Sequence, residues 1–311
     1  MTRLADALRR ARGGPALPPP SAPEEVDPWL HSQETEEPVL PEAQQDELTT
    51  ASDDASLASS PETSADTEDM GRPWFGKPIN TTGSRFADRL REKLVTDPKS
   101  RAAAVEQYKR LAAALHHSQC QFGTKSVMVA SALGSEGKSL SICNLALTLS
   151  HSYRRRVLLI DADLRRPSLH EMFQLPATSG LSEALRGTTD RPLPLYEVSP
   201  RLMVVPSGRP DPDPIGGLVS ERMTQIMAQG MAQFDWVLID TPPVGLVPDA
   251  KVLGALVDAA VLVILAGKSP SALIRQAIDT LGPEKIFGVV LNAAETAGTL
   301  QNSGYYGAKR E

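Results

Sequence analysis

Six short runs of apolar and β-branched residues recur through the second half of the chain: SVMVAS (126–131), RVLLID (156–161), LMVVP (202–206), WVLID (236–240), AVLVILA (260–266) and FGVVLN (287–292). None alternates polar and apolar positions, so both faces of each run must be covered, as in the strands of a parallel sheet packed on two sides. Helical patterns fall between them, around 138–151, 219–232, 248–256 and 271–281. Strand–helix alternation of this kind predicts an α/β fold, a doubly wound and mostly parallel sheet with ligands at the carboxyl ends of the strands. There is no internal repeat.

The chain ahead of the first run is different. From Glu24 to Asp69 there are fifteen acidic residues and no lysine or arginine. Such a composition cannot bury enough apolar surface to offset its ordering entropy, which predicts disorder. The net charge of the whole chain is −6, and residues 1–69 carry four arginines against sixteen acids, or −12. Residues 70–311 therefore carry +6, the difference between −6 and −12. An acidic arm on a basic body fits a solvated, solubilising segment or a body that meets something anionic. The first residues, MTRLADALRRARGG, read as one short basic amphipathic helix rather than a signal peptide. The stretch GRPWFGKPINTTGSRF (71–86) reads as a linker, and Phe86 to His117 as helical, with Ala103, Val105, Tyr108, Leu111, Ala112 and Leu115 forming its apolar stripe.

Cys120 and Cys143 have no metal-type spacing, which suits a reducing compartment. No apolar run reaches the eighteen or so residues of a membrane span. The expected setting is cytoplasmic.

Chemistry concentrates at the ends of the runs. After SVMVAS comes ALGSEGKS (132–139), a phosphate-loop pattern whose first glycine is replaced by Ala132. Its strand–loop–helix setting points backbone N–H groups at a phosphate, supplies a charge from Lys138 and offers the Ser139 hydroxyl to Mg²⁺. Asp161 and Asp163 close the second run, followed by Arg165, and either acid can face the metal or the acceptor, or Asp163 can cap the turn before Pro167. Asp240 closes WVLID ahead of a proline turn, the form of a Walker B element. Three acids at two strand ends downstream of a phosphate loop are what phosphoryl transfer requires.

The order ASALGSEGKS, LLIDADLRRP and LIDTPP resembles the bacterial tyrosine kinases, the capsular and exopolysaccharide autokinases related to partition and division-site ATPases. Asp161, Asp163 and Arg165 match the family's Asp-x-Asp-x-Arg motif, and Asp240 with Pro243 match its Asp-x-x-Pro motif. The likeness extends over roughly 98–310 and includes PSLHEMFQLPATSGLSEALRG, VVPSGRPDPDP, PDAKVLGALVDAAVLVILAGKS and GVVLN. Partition ATPases carry a signature lysine five residues before the second one; here that position is Leu133. Iron–sulfur carrier relatives add a Cys-x-x-Cys pair, which this chain lacks.

Composition and the resemblance together divide the chain into four segments: the basic segment 1–15, the acidic arm and linker 16–85, a P-loop kinase domain 86–298 and a flexible tail 299–311. The resemblance implies ATP and Mg²⁺ as cofactors, with Gly134, Ser135, Glu136, Gly137, Lys138, Ser139, Leu140 and Asn292 around the nucleotide. Asn292 meets the adenine base or else caps a turn. Ser139, Asp163 and Asp240 organise the metal, Lys138, Asp161, Asp163 and Asp240 form the catalytic set, and Asp161 is the candidate base. Tyr305 and Tyr306 in the tail are the candidate acceptors; the other three tyrosines read as structural. The implied partner is a separate membrane-anchored activator, the polysaccharide chain-length protein, alongside a homo-oligomer and with no nucleic acid. The alternative is a non-kinase P-loop ATPase switch acting on a membrane partner.

Three departures from the family pattern matter. Ser135 stands where glycine is common, which predicts backbone strain. The oligomerisation motif Glu-x-x-Arg-x-x-Arg is reduced to Glu106, Lys109 and Ala112, which removes bidentate pairing across an interface. The tail holds two tyrosines rather than a longer run, a smaller charge switch.

Overall fold

The computed structural model describes residues 73–81, 86–98, 100, 102–187 and 191–294. All lie in one compact unit, Thr63–Glu311. The amino-terminal segment, the acidic arm and the tail with Tyr305 and Tyr306 lie outside the described residues.

An eight-stranded sheet is built from β1 (Phe75–Asn80), β2 (Ser126–Ser131), β3 (Val157–Asp161), β4 (Leu193–Ser199), β5 (Leu202–Val205), β6 (Trp236–Asp240), β7 (Ala259–Leu265) and β8 (Ile286–Asn292). Its order is β1-β4-β5-β3-β6-β2-β7-β8. All neighbours run parallel except β4 against β5, so β1 and β4 run opposite to the other six. The helices are α1 (Asp88–Arg91), α2 (Ala102–Phe122), α3 (Lys138–His151), α4 (Leu169–Met172), α5 (Leu181–Leu185), α6 (Ile215–Leu218), α7 (Glu221–Gln233), α8 (Asp249–Ala255) and α9 (Ser271–Leu281).

The uniformly apolar runs are explained by two cores. Met128, Ala130, Leu158, Ile160, Val237 and Ile239 point to one side of the sheet, under α7, α8 and α9. Val127, Val129, Val157, Leu159, Trp236 and Leu238 point to the other, under α2 and α3. Successive strand residues face opposite ways, so a strand buried on both faces has no room for a polar alternate. The doubly wound sheet is the predicted one.

Several expectations are corrected. The supposed linker holds β1, with Trp74 and Phe75 buried and the Gln229 carboxamide accepting both of their backbone N–H groups. Pro78 concealed this strand, yet β1 is an edge, where a missing N–H is tolerated. β4 was hidden likewise behind Pro192, Pro194 and Glu197. The run at 287–292 is the opposite edge, not a buried strand: Val289 and Leu291 are exposed.

The helical stretch from Phe86 is broken between α1 and α2. There the Asn144 carboxamide accepts from Val95 N–H at 2.9 Å and donates to the Lys93 carbonyl at 3.1 Å, holding a turn. Pro98 also disfavours helix at the residue before it. α2 then continues past His117 to Phe122, where Gly123 closes it at φ 73°. Ala103 is exposed rather than part of the apolar stripe.

Candidate active site

The site lies where β2, β3 and β6 end side by side. Asp161 and Asp240 are cross-strand neighbours in register, and Ala162 N–H donates to the Asp240 carbonyl at 2.9 Å. Both side chains are fully buried. The Asp161 Oδ2 accepts from Ser168 N–H at 3.1 Å and Leu169 N–H at 3.0 Å. Its Oδ1 has no hydrogen-bond partner, and the Asp240 oxygens make no contact of full hydrogen-bond geometry, although the Ser139 hydroxyl and the Thr241 N–H lie close enough to favour the Asp240 charge.

Buried carboxylates without partners are costly, and burial makes these groups hold their protons more tightly. Burial raises Asp240 to about 6, opposed mainly by the neighbouring Lys138 ammonium. Burial, reinforced by the Asp240 charge, pushes Asp161 well above the usual carboxylate range. Asp163 is half-buried and also raised by burial, while Arg166 N–H at 3.1 Å and Lys138 favour its charged form.

The unsatisfied oxygens suit a small hard cation. No cluster of three or more His, Cys, Asp or Glu arranged for a metal occurs among the described residues. Mg²⁺ does not need one, because it takes one or two carboxylates and fills its octahedron with water and phosphate oxygens. Asp240, Asp163 and the Ser139 hydroxyl are therefore chemically fit to hold it.

Lys138 and Ser139 open α3, following the loop 132–137. Lys138 is buried, and Leu140 occupies the first helical turn. The loop takes an unusual shape: Ser135 has φ 62° and Gly137 φ 96°. A Cβ at Gly137 would overlap the Asn292 amide nitrogen, whereas one at Gly134 would meet nothing. The strain expected at Ser135 is thus present, since the left-handed region costs a non-glycine residue about 1 kcal/mol. Ser135→Gly should raise stability by roughly 0.5 kcal/mol, the relief being partly offset by the added freedom of glycine when unfolded. A urea midpoint equal to or below wild type would contradict this.

Other assigned residues land differently. Asn292 does not point freely toward a base: its Nδ2 donates to the Glu136 carbonyl at 2.9 Å and its Oδ1 accepts from Ala293 N–H. Arg165 turns away from the carboxylates to pair with the fully buried Asp249, Nε to Oδ2 at 2.8 Å and Nη2 to Oδ1 at 3.2 Å, and also donates to the Pro212 carbonyl. Ala112 is fully buried in the core beneath α2, so that position of the reduced oligomerisation motif faces inward. Cys143 is buried one turn beyond Ser139, its thiol pushed well up by burial and then by Asp240 and Asp161.

Residues not anticipated from the sequence include Asp249 and Ser168, whose hydroxyl lies 2.9 Å from that of Ser139. Asp249 was readable only as a first-turn acid of its helix. Its role depends on Arg165, 84 positions away.

A parallel sheet with a phosphate loop after β2 and acids at the ends of β3 and β6 defines a P-loop NTPase. The ParA family model, described as NUBPL iron-transfer P-loop NTPase, matches residues 123–294. The chain is 34% identical over 218 residues to tyrosine-protein kinase YwqD of Bacillus subtilis (strain 168), covering 69% of this chain and 90% of that protein. It is 30% identical over 216 residues to the putative tyrosine-protein kinase CapB of Staphylococcus aureus, covering 68% and 93%. Among solved structures, the kinase domain of Escherichia coli tyrosine kinase ETK superposes with a TM-score of 0.57 at 30% identity, covering 62% of this chain and 78% of that one. The chain belongs to the bacterial tyrosine-protein kinase family, within the ParA-like P-loop NTPases.

Proposed function

We propose that the protein is an ATP- and Mg²⁺-dependent tyrosine autokinase that regulates capsular or exopolysaccharide polymerisation and export. The observation that carries this is the pair Asp161–Asp240, buried side by side with unsatisfied oxygens beside Lys138. The names of relatives agree with the setting: tyrosine-protein kinase CpsD of Streptococcus agalactiae and the succinoglycan biosynthesis transport protein ExoP of Rhizobium meliloti are both similar to this chain.

In this reading the amides of residues 134–140 and the Lys138 ammonium bind and orient the phosphates. Ser139, Asp163 and Asp240 hold Mg²⁺, which supplies charge neutralisation at the transferring phosphoryl group. Asp161 accepts the proton of the tyrosine hydroxyl through its unpartnered Oδ1. A raised carboxylate suits that task, because a base titrating nearer the working pH transfers protons more efficiently. Tyr305 and Tyr306 are the acceptors. Asn292 acts on the loop through its hydrogen bond to the Glu136 carbonyl. No helix among the described residues is long and apolar enough to cross a membrane, which suits activation by the cytoplasmic tail of a separate membrane-anchored chain-length protein.

The test is purified protein incubated with ATP·Mg²⁺ and such a tail, followed by phosphotyrosine mapping. Phosphate is expected on Tyr305 or Tyr306, and Lys138→Met should reduce it by roughly 10²–10³-fold, the scale of losing a main electrostatic stabiliser. Phosphate release without phosphotyrosine would favour the ATPase-switch reading instead.

A further inference from the structure

Glu136 sits inside the phosphate loop, and its side chain is buried. A carboxylate taken out of water needs hydrogen-bond donors to remain there. Glu136 has two. Its Oε2 accepts from the backbone N–H of Leu133 at 2.8 Å, which folds the loop onto itself. Its Oε1 accepts from the hydroxyl of Ser269, 133 positions away in the turn after β7.

Ser269 is itself fixed, because its oxygen accepts from Leu265 N–H at 3.0 Å. Its single proton has two acceptors within reach, the Glu136 carboxylate and the Leu265 carbonyl at 3.2 Å, and the charged carboxylate is the stronger of the two. A second tie reaches the same residue from the adjoining strand, where Asn292 donates to the Glu136 carbonyl. The two strand ends are joined to each other by Ala266 N–H donating to the Asn292 carbonyl at 2.9 Å. Glu136 is thus gripped by both β7 and β8, between two left-handed residues, Ser135 and Gly137. Left to local preference, a serine would leave that region. The loop shape is set from the sheet edge, and Lys138 follows immediately.

We propose that Ser269 is a positioning residue for nucleotide binding: its hydroxyl, through Glu136, holds the phosphate loop in the conformation that presents its amides and Lys138 to a polyphosphate. The proposal rests on the nucleotide-site reading given above and adds a residue outside the phosphate-loop, Asp-x-Asp-x-Arg and Asp-x-x-Pro motifs. It also distinguishes two roles for this strand end. A residue that touches the base affects only nucleotides. A residue that shapes the loop affects any polyphosphate.

The experiment is calorimetric titration of the full chain with ATP·Mg²⁺ and, separately, with inorganic tripolyphosphate and Mg²⁺. Ser269→Ala is expected to weaken both about tenfold, the scale of one hydrogen bond to a charged group. The KM for ATP in autophosphorylation should rise by a similar factor, with kcat affected less. Ser269→Thr, which keeps the hydroxyl, should restore both affinities. Wild-type affinity for both ligands in Ser269→Ala would overturn the proposal. So would a loss confined to ATP, which would place Ser269 at the base. A fall in melting temperature without weaker binding would overturn it as well, by reducing the contact to scaffold. A wild-type protein that binds neither ligand would remove the nucleotide site itself, and the proposal with it.

Discussion

Asp240→Asn is expected to make the nucleotide-free protein more stable at neutral pH while abolishing tyrosine phosphorylation. The sign follows from the titration. Asp240 takes up its proton near pH 6 in the folded chain and near 3.8 when unperturbed. Between those values the folded state holds more protons than the unfolded one, so stability falls as pH rises through the window. Above pH 6 the whole cost is present, on the order of 3 kcal/mol for this one carboxylate. Asp161, raised by the same burial and by Asp240, adds in the same direction. Asparagine has no charge to desolvate. Melting curves in EDTA should therefore show wild type gaining stability from pH 7.5 to 5, with much of that slope gone in the variant and its melting temperature at pH 7.5 higher. Adding ATP·Mg²⁺ should stabilise wild type and leave the variant nearly unmoved. A variant less stable than wild type at pH 7.5 would refute this account of the site.

The second large effect is expected away from the phosphates. Arg165→Ala removes the fork that holds Asp249 and leaves a fully buried carboxylate without its cation. Breaking a buried pair from one side typically costs 3–5 kcal/mol. Since the Arg165 side chain retains 28% of its exposure, we expect about 3 kcal/mol. Replacing both partners, Arg165→Met with Asp249→Leu, should recover most of the stability, as apolar substitution of buried pairs commonly does. Equal losses in the single and double variants, measured by urea denaturation, would show that the pair is not the cause.

These two cases mark what was legible in the sequence. The acids at the ends of β3 and β6 were visible because a carboxylate after a run of buried apolar residues has few reasons to be there. The loop and α3 were visible because both are local: Gly137, Lys138 and Ser139 sit together, and the helix they open has the predicted bounds, as does α9. The strain at Ser135 was visible for the same reason. Arg165 follows Asp161 and Asp163 closely in sequence, yet its partner is Asp249, which opens α8 and is not apparent from the motif. Glu136 looked like a phosphate-loop residue only; its grip by Ser269 and Asn292 depends on strands that meet it only once the sheet has formed. β1 and β4 were missed because proline and charge obscure a strand whose partner supplies the hydrogen bonds.

The reversed direction of β1 and β4 has a practical consequence. Phe75 pairs with Leu193, at the start of β4, and the start of β4 lies toward the end of β5, whose Val205 adjoins Ile160 of β3. The chain therefore enters this folded unit on the same rim that carries the phosphate loop, and it leaves at Asn292 on that rim too. Phe75 and Asn292 stand on that rim at opposite edges of the sheet, with β4 and β5 between β1 and β3 and with β7 between β8 and β2. A handle placed at either therefore shares a rim with the reacting groups without adjoining them. The far rim, where Lys125, Arg156 and Asp235 sit at the strand starts, is the place to attach a surface or a dye that must leave chemistry undisturbed.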